Sequence, residues 1–278
     1  FHAHGEEFVD YPRSTFDKIK FSLFRKTCKR LIFNNAKRIF AVSNYTKRML
    51  MEFGLDESKI DVVYNGVDKN RFRPDLDTAK IVARHKLKGK MVILTVSRLK
   101  FYKGHDIIIN LMPELLKQFP NLVYVIVGGG SDRQALDELV SILNLKDNII
   151  FAGNVDQVDL PLYHNVCDIY IMLTKERGLT DEFEGFGLVF LEASSCGKPV
   201  IGANTGGIPD TIINGETGYL VDPNKANEVM DKIIFLLKNK ELAKKMGEEG
   251  RNRILRENLT WESVAKKIQQ IITAEIKS

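Results

Sequence analysis

Between residues 90 and 221, short continuous apolar runs alternate with stretches whose apolar residues recur every three or four positions. The runs at 91–96, 122–127, 149–151, 168–173, 199–201 and 219–221 have the length of buried strands. Helical spacing marks 105–118 and 132–143, with further helical stretches between the later runs. A strand covered on both faces reads as an unbroken apolar run, so this alternation predicts a parallel sheet with helices on either side. The first part of the chain is less regular. It predicts a helix over 15–34, a strand within 36–43, a helix over 44–53 capped by Ser43 and closed by Gly54, and a strand over 59–63. Asn65-Gly66 reads as a turn and 71–78, with Pro74, as a linker. Helices over 225–238, 240–255 and 261–277 end the chain.

In a sheet of this kind ligands sit at the carboxyl ends of the strands. Arg98, Gly128-Gly129-Gly130, Gly153 and the loop around Glu184 all fall there. The stretch Glu184-Gly185-Phe186-Gly187-Leu188-Val189-Phe190-Leu191-Glu192 is the most informative. Phe186, Val189, Phe190 and Ala193 keep helical spacing, which predicts a helix from about Phe186. Its glycines let a ligand approach the backbone, and its first amides can meet an anion such as phosphate. The two glutamates repel phosphate but accept hydrogen bonds from hydroxyls. A mostly helical segment spaces them roughly 12 Å apart, at about 1.5 Å per residue. Hydroxyl acceptor, amide nest, hydroxyl acceptor is the order that a nucleoside diphosphate sugar requires. Arg98 and Lys103, at the end of the run 91–96, can hold a diphosphate, the arginine by its planar fork and the lysine as a point charge.

Other patterns carry less. The triple glycine does not continue as a dinucleotide fingerprint, because Arg133 stands where the next glycine is needed. Asp75-Leu76-Asp77 resembles a metal-holding carboxylate pair, but it lies in the linker and reads as solvated; no metal is assigned. Cys28, Cys167 and Cys196 are far apart and odd in number, as in a reduced, cytosolic protein.

Charge changes the picture at one place. The net charge is +5, yet residues 13–48 hold eleven basic side chains against Asp17 alone, which leaves the remainder negative. Aromatic and aliphatic residues interleave with that basic segment, a pattern that fits a solvated face over a packed stripe or contact with an anionic membrane surface. No nucleic-acid recognition motif accompanies it. No apolar run reaches the roughly 20 residues of a membrane span.

With these residues in view, the chain resembles the retaining glycosyltransferases of family 4, which have the GT-B fold. The matching pieces are Glu184 and Glu192 in a Glu-x7-Glu arrangement, the Arg98/Lys103 loop, Ala41-Val42-Ser43, and Val62-Val63-Tyr64-Asn65-Gly66-Val67-Asp68 at the family's interdomain crossing. Asn204-Thr205-Gly206-Gly207-Ile208-Pro209-Asp210 also matches, with Asp210 where glutamate is more usual. Residues 177–193 resemble mannosyltransferases that use GDP-mannose. The resemblance implies an α/β chain with a complete C-terminal doubly wound domain over 67–258. It also implies the C-terminal remnant of a Rossmann-like acceptor-side domain over 1–66 and a final helix, 259–278, packing back on it.

What the resemblance implies for function follows residue by residue. Arg98 and Lys103 hold the donor diphosphate and stabilise its departure. Glu184, with Gly185 and the amides of Phe186, Gly187 and Leu188, holds the sugar and phosphate. Glu192 takes the ribose, Asn154 and Val155 lie near the base, and His4 faces the transferred sugar. The expected reaction is retaining transfer from GDP-mannose or a UDP-sugar to a glycan or lipid-linked acceptor hydroxyl. It uses neither cofactor nor metal, in the cytoplasm or at the inner membrane face. The resemblance implies that the family's first domain begins roughly 100 residues earlier, either in a longer protein or in a separate chain. The rival readings are a non-catalytic sugar-nucleotide-binding or assembly subunit, and a GT-B phosphorylase, for which no residue stands out as the pyridoxal phosphate lysine.

Overall fold

The computed structural model describes residues 2–3, 33, 35–176 and 183–277. The expected helix over 15–34, most of the basic segment, Cys28 and His4 lie outside these residues.

Among the described residues the strands form two parallel sheets. The smaller contains β1 (His2–Ala3), β2 (Ile39–Ala41) and β3 (Ile60–Val62) in that order, with Ala3 opposite Ala41 and Ile39 opposite Ile60. Ser43 caps α1 (Asn44–Glu52), its hydroxyl accepting from the Thr46 amide. Leu50 of that helix joins Phe33, Ile39, Leu55 and Ile60 in a small core. The two strands read from sequence are shorter than expected.

The larger sheet has six strands. They are β4 (Met91–Val96), β5 (Leu122–Val127), β6 (Ile149–Gly153), β7 (Ile169–Met172), β8 (Val200–Ala203) and β9 (Gly218–Val221). Their spatial order is β6-β5-β4-β7-β8-β9. The chain winds outward from β4 in one direction and then from β7 in the other, so the crevice of the doubly wound sheet lies beyond the ends of β4 and β7.

Alternate residues of each strand face opposite layers. Val92, Leu94, Val125, Tyr170 and Met172 face α5 (Leu160–Val166) and α6 (Leu188–Ser195), where Tyr163, Phe190 and Leu191 are buried. Ile93, Tyr124, Ile126, Ile169 and Ile171 face the other layer. There α3 (His105–Gln118), α4 (Arg133–Ile142) and α7 (Ala226–Lys238) supply Ile108, Met112, Leu115, Leu136, Val140 and Ile233. Each such side chain contributes roughly 1.5–3 kcal/mol by leaving water. α5 is one of the helical stretches expected between the later runs, whereas α2 (Ala79–Arg84), just after the linker, was not expected.

The sheets are joined at residues 63–67. Val67 donates its amide to Leu259 at 3.0 Å, and a Cβ on Gly66 would stand 2.3 Å from the Thr260 carbonyl carbon. After α8 (Lys240–Arg256), the last helix, α9 (Trp261–Lys277), returns to the small sheet. Val264 packs on Phe40 and Val63, Lys267 Nζ donates to the Val62 carbonyl at 2.9 Å, and Arg38 pairs with Glu275 at 2.7 Å.

Candidate active site

The turn leaving β4 carries two cations. Arg98 donates to Tyr102 Oη at 3.0 Å, and Lys103 Nζ lies 4.8 Å from the centre of the same ring. Arg98 is exposed, whereas Lys103 is only 7 % exposed. A buried ammonium must be paired. Lys103 donates to Glu184 Oε2 at 2.7 Å. A single turn of 3-10 helix, Phe101–Lys103, sets this spacing, and Gly104 closes it at φ 75. A Cβ there would stand 2.2 Å from the Leu173 carbonyl oxygen, so glycine is what lets the turn press against the exit of β7.

Beneath Arg98 lies a buried polar chain that sequence reasoning missed. His105 Nε2 is 3.0 Å from Ser97 Oγ and 3.3 Å from the Arg98 carbonyl oxygen. Its Nδ1 is 3.2 Å from Tyr124 Oη, which donates to Thr95 Oγ1 at 2.8 Å; Thr95 donates in turn to the Ile171 carbonyl. Burial lowers the imidazole to about 4, so it is neutral at neutral pH. The signal available in the sequence was a histidine opening a helix directly after Gly104, among otherwise apolar strand and helix residues.

The triple glycine supports the same turn. Leu99 donates its amide to the Gly129 carbonyl at 2.9 Å, and Gly128 donates to Gly153 at 2.8 Å. A Cβ on Gly128 or Gly130 would stand 2.0 Å from the Ser97 carbonyl oxygen or 2.2 Å from that of Leu99. On the other side Gly129 lies against the Asn154 amide group, 3.1 Å from where its Cβ would be. The glycines therefore let three strand exits meet by backbone, which brings Asn154 and its neighbour Val155 alongside the Arg98 turn.

The acidic segment is held from behind. Gly207 donates to the Glu184 carbonyl at 2.8 Å, and a Cβ on Gly207 would stand 2.1 Å from the Gly185 carbonyl oxygen. Phe186 is buried and stacks on Tyr64 with ring centres 5.7 Å apart. Gly187 then turns at φ 91, so the helix starts at Leu188, two residues later than the expected Phe186. The correction has a physical reason: the left-handed backbone at Gly187 cannot belong to a right-handed helix, so the helix begins after it. The amides at the start of α6 have no acceptors within their own helix. Glu192, further along α6, is 13 % exposed at its side chain, and its Oε2 lies 3.6 Å from Nε2 of the buried His164 on α5.

The small sheet is clasped to this region. Asp210 accepts from the Asn44 amide at 2.6 Å and from Asn44 Nδ2 at 2.8 Å, while buried Arg253 donates to the Asp210 carbonyl at 2.9 Å. Burial, and then Glu176, push the Tyr45 phenol up to about 12 where its ring meets Phe183 at 5.4 Å.

Of the expected site residues, Arg98, Lys103, Glu184, Gly185, Phe186, Gly187, Leu188 and Glu192 therefore gather beyond β4 and β7, with Asn154 and Val155 beside them; His4 is outside the described residues. Asp77 accepts from the Ala79 amide at 2.9 Å, a turn contact. Among the described residues no group of three or more His, Cys, Asp and Glu side chains is placed to hold a metal ion. No helix among them is long and apolar enough to cross a membrane.

Residues 77–253 match the family described as Glycosyl transferases group 1, and residues 1–71 match Glycosyltransferase Family 4. A GDP-mannose-dependent alpha-(1-6)-phosphatidylinositol monomannoside mannosyltransferase of Mycolicibacterium smegmatis is 33% identical over 250 residues, 89% of this chain and 65% of the relative. This chain thus spans just under two-thirds of that relative's length. Sucrose-phosphate synthase from Thermosynechococcus elongatus superimposes with a TM-score of 0.80 at 25% identity, over 99% of this chain and 67% of the other. Anabaena HepE, solved with UDP and glucose, has the same fold at 22% identity, with a TM-score of 0.80 over 98% of this chain and 70% of its own. The fold is GT-B, and the chain belongs to the group 1 glycosyl transferases.

Proposed function

We propose that the protein is a retaining hexosyltransferase that moves a sugar from a nucleoside diphosphate sugar, GDP-mannose or a UDP-sugar, to a hydroxyl of a glycan or lipid-linked acceptor. The observation that carries this is the 2.7 Å pair between Lys103 and Glu184 at the crevice of the sheet. It sets a cation suited to the leaving diphosphate against a carboxylate suited to sugar hydroxyls. In the reaction the bond from the anomeric carbon to the diphosphate oxygen breaks. The bond to the acceptor oxygen forms on the same face, and the acceptor proton passes to the departing phosphate. Negative charge grows on that phosphate, where Arg98, Lys103 and the start of α6 stabilise it. Glu192 accepts from the ribose, and Asn154 and Val155 border the base.

The remaining assignments belong to the same reading. Residues 1–66 are the acceptor-side part, with His4 toward the transferred sugar; 67–258 bind the donor; 259–278 return to the first part. Neither metal nor cofactor takes part. The basic segment holds the protein at an anionic membrane face, a location in keeping with a relative named for a phosphatidylinositol mannoside acceptor. Titration calorimetry with GDP, UDP and ADP tests the reading. Saturable binding of GDP or UDP in preference to ADP is expected, and binding of none would overturn it.

A further inference from the structure

Among the described residues, His164 is a buried titratable side chain whose ring nitrogens both lack a hydrogen-bond partner, as does Glu192 Oε2. It is fully buried on α5, its ring 5.7 Å from Phe72 and 5.5 Å from Tyr170. Tyr170 in turn meets Phe190 edge to face at 5.3 Å, so the imidazole is fixed by rings on either side. An aromatic hydrocarbon would fill that space without leaving two polar atoms unsatisfied, which a buried group does at a cost. The atom it faces is equally unusual. Glu192 Oε2 is buried and has no hydrogen-bond partner, and it stands 3.6 Å from His164 Nε2. Two orphaned, complementary atoms just beyond hydrogen-bond reach need only a small rotation of the glutamate's last torsion, which is soft, to meet.

We propose that His164 is a positioning residue for Glu192: its Nε2–H donates to Oε2 and so fixes the carboxylate with Oε1 turned toward a ligand's vicinal hydroxyls. The inference rests on the reading of Glu192 as the ribose acceptor. A carboxylate held by one oxygen presents the other at a set angle, which matters for a ligand with two adjacent hydroxyls and not for one with none. His164 touches no substrate; it acts through Glu192.

The test is titration of the protein with GDP and with 2′,3′-dideoxy-GDP, or with the corresponding uridine pair if uridine is the base bound. Wild type is expected to prefer the ribonucleotide by about ten- to a hundredfold. His164→Phe fills the space without a donor and should lose most of that preference while keeping its affinity for the dideoxy nucleotide. His164→Gln, whose amide reaches the Nε2 position, should restore the preference. If His164→Phe does not unfold cooperatively, His164→Leu, smaller and also without a donor, gives the same comparison. A preference unchanged in the donor-less variant, or equal losses for both nucleotides, would overturn the positioning role. Absence of any preference in wild type would instead overturn the ribose reading of Glu192, and His164 with it.

Discussion

Glu184 and Glu192 have the same side chain, lie eight residues apart, and are held in opposite ways. Glu184 sits on a loop and is tied by a 2.7 Å ion pair to a lysine from another strand exit. Its backbone is strapped by Gly207. Glu192 is on a regular helix, pairs with no lysine or arginine among the described residues, and faces a histidine whose nitrogens lack hydrogen-bond partners there. The first arrangement is charge-compensated and depends on loop geometry. The second depends on helix packing. A lysine beside a carboxylate can exchange that partner for an incoming phosphate, which leaves the carboxylate to accept from sugar hydroxyls. A carboxylate beside a histidine and aromatic rings can only accept from donors such as hydroxyls. The proposed division between a sugar-and-phosphate end and a ribose end rests on this difference.

The largest effect is expected at the lysine. Lys103→Ala removes the cation from both Glu184 and the diphosphate, and turnover should fall by about 10²–10³. Arg98 shares Tyr102 with Lys103, so the double variant should lose less than the product of the single losses. Strictly multiplicative losses in a kinetic cycle would separate the two cations and break the clamp.

Next comes acid. The Arg98 turn rests on His105, which burial lowers to about 4 from an ordinary 6.5. Above pH 6.5 the folded and unfolded chains both hold it neutral. As pH falls from 6.5 to 4 the unfolded chain takes up a proton that the folded one refuses. Stability is therefore full above 6.5 and is lost progressively until 4, by on the order of 3 kcal/mol at the limit. Thermal unfolding followed across that window should show the loss, and His105→Gln should flatten it. An equally steep loss in the variant would place the acid sensitivity elsewhere.

Much of this was legible beforehand, and what was not has identifiable causes. The strands 91–96 and 122–127 and the helices 105–118 and 261–277 match to the residue, because buried parallel strands are continuous apolar runs and these helices have clear ends. The site residues on loops were recoverable because charge and glycine stand out there. Tyr102, His105 and His164 were not: an aromatic or a histidine among apolar residues looks like core until its neighbours in space are known. The start of α6 was misplaced because Phe186 fits the helical spacing but precedes Gly187, whose left-handed backbone opens the helix one residue later. The triple glycine does not continue as a dinucleotide motif. Its role, backbone contact with Ser97 and Leu99, depends on a sheet order that no local pattern shows.

A smaller effect sharpens the comparison from the other side. Gly207→Ala puts a Cβ against the Gly185 carbonyl and should shift the Glu184 loop, at a cost of about 1–3 kcal/mol for the overpacking. The shift falls on Gly185 and Phe186, just before α6, so turnover should fall more than nucleotide affinity. Steady-state kinetics beside calorimetry on the same variant will show whether the two ends separate. The smallest expected effect is none: a chelator should leave transfer unchanged, since lysine and arginine supply the countercharge. Loss of activity on chelation, restored by a divalent cation, would reassign that charge to a metal.

The most direct test compares the two carboxylates as amides. GDP is titrated into wild type, Glu184→Gln and Glu192→Gln by calorimetry, with the uridine nucleotide substituted if that is the one bound. Glu192→Gln should weaken binding by on the order of 1.5–3 kcal/mol, the worth of hydrogen bonds to a charged acceptor. Glu184→Gln should bind the nucleotide as well as wild type or better, because Lys103 is freed for the diphosphate. Equal losses in the two variants, or a larger loss at Glu184, would contradict the division of the site into a ribose end and a sugar end.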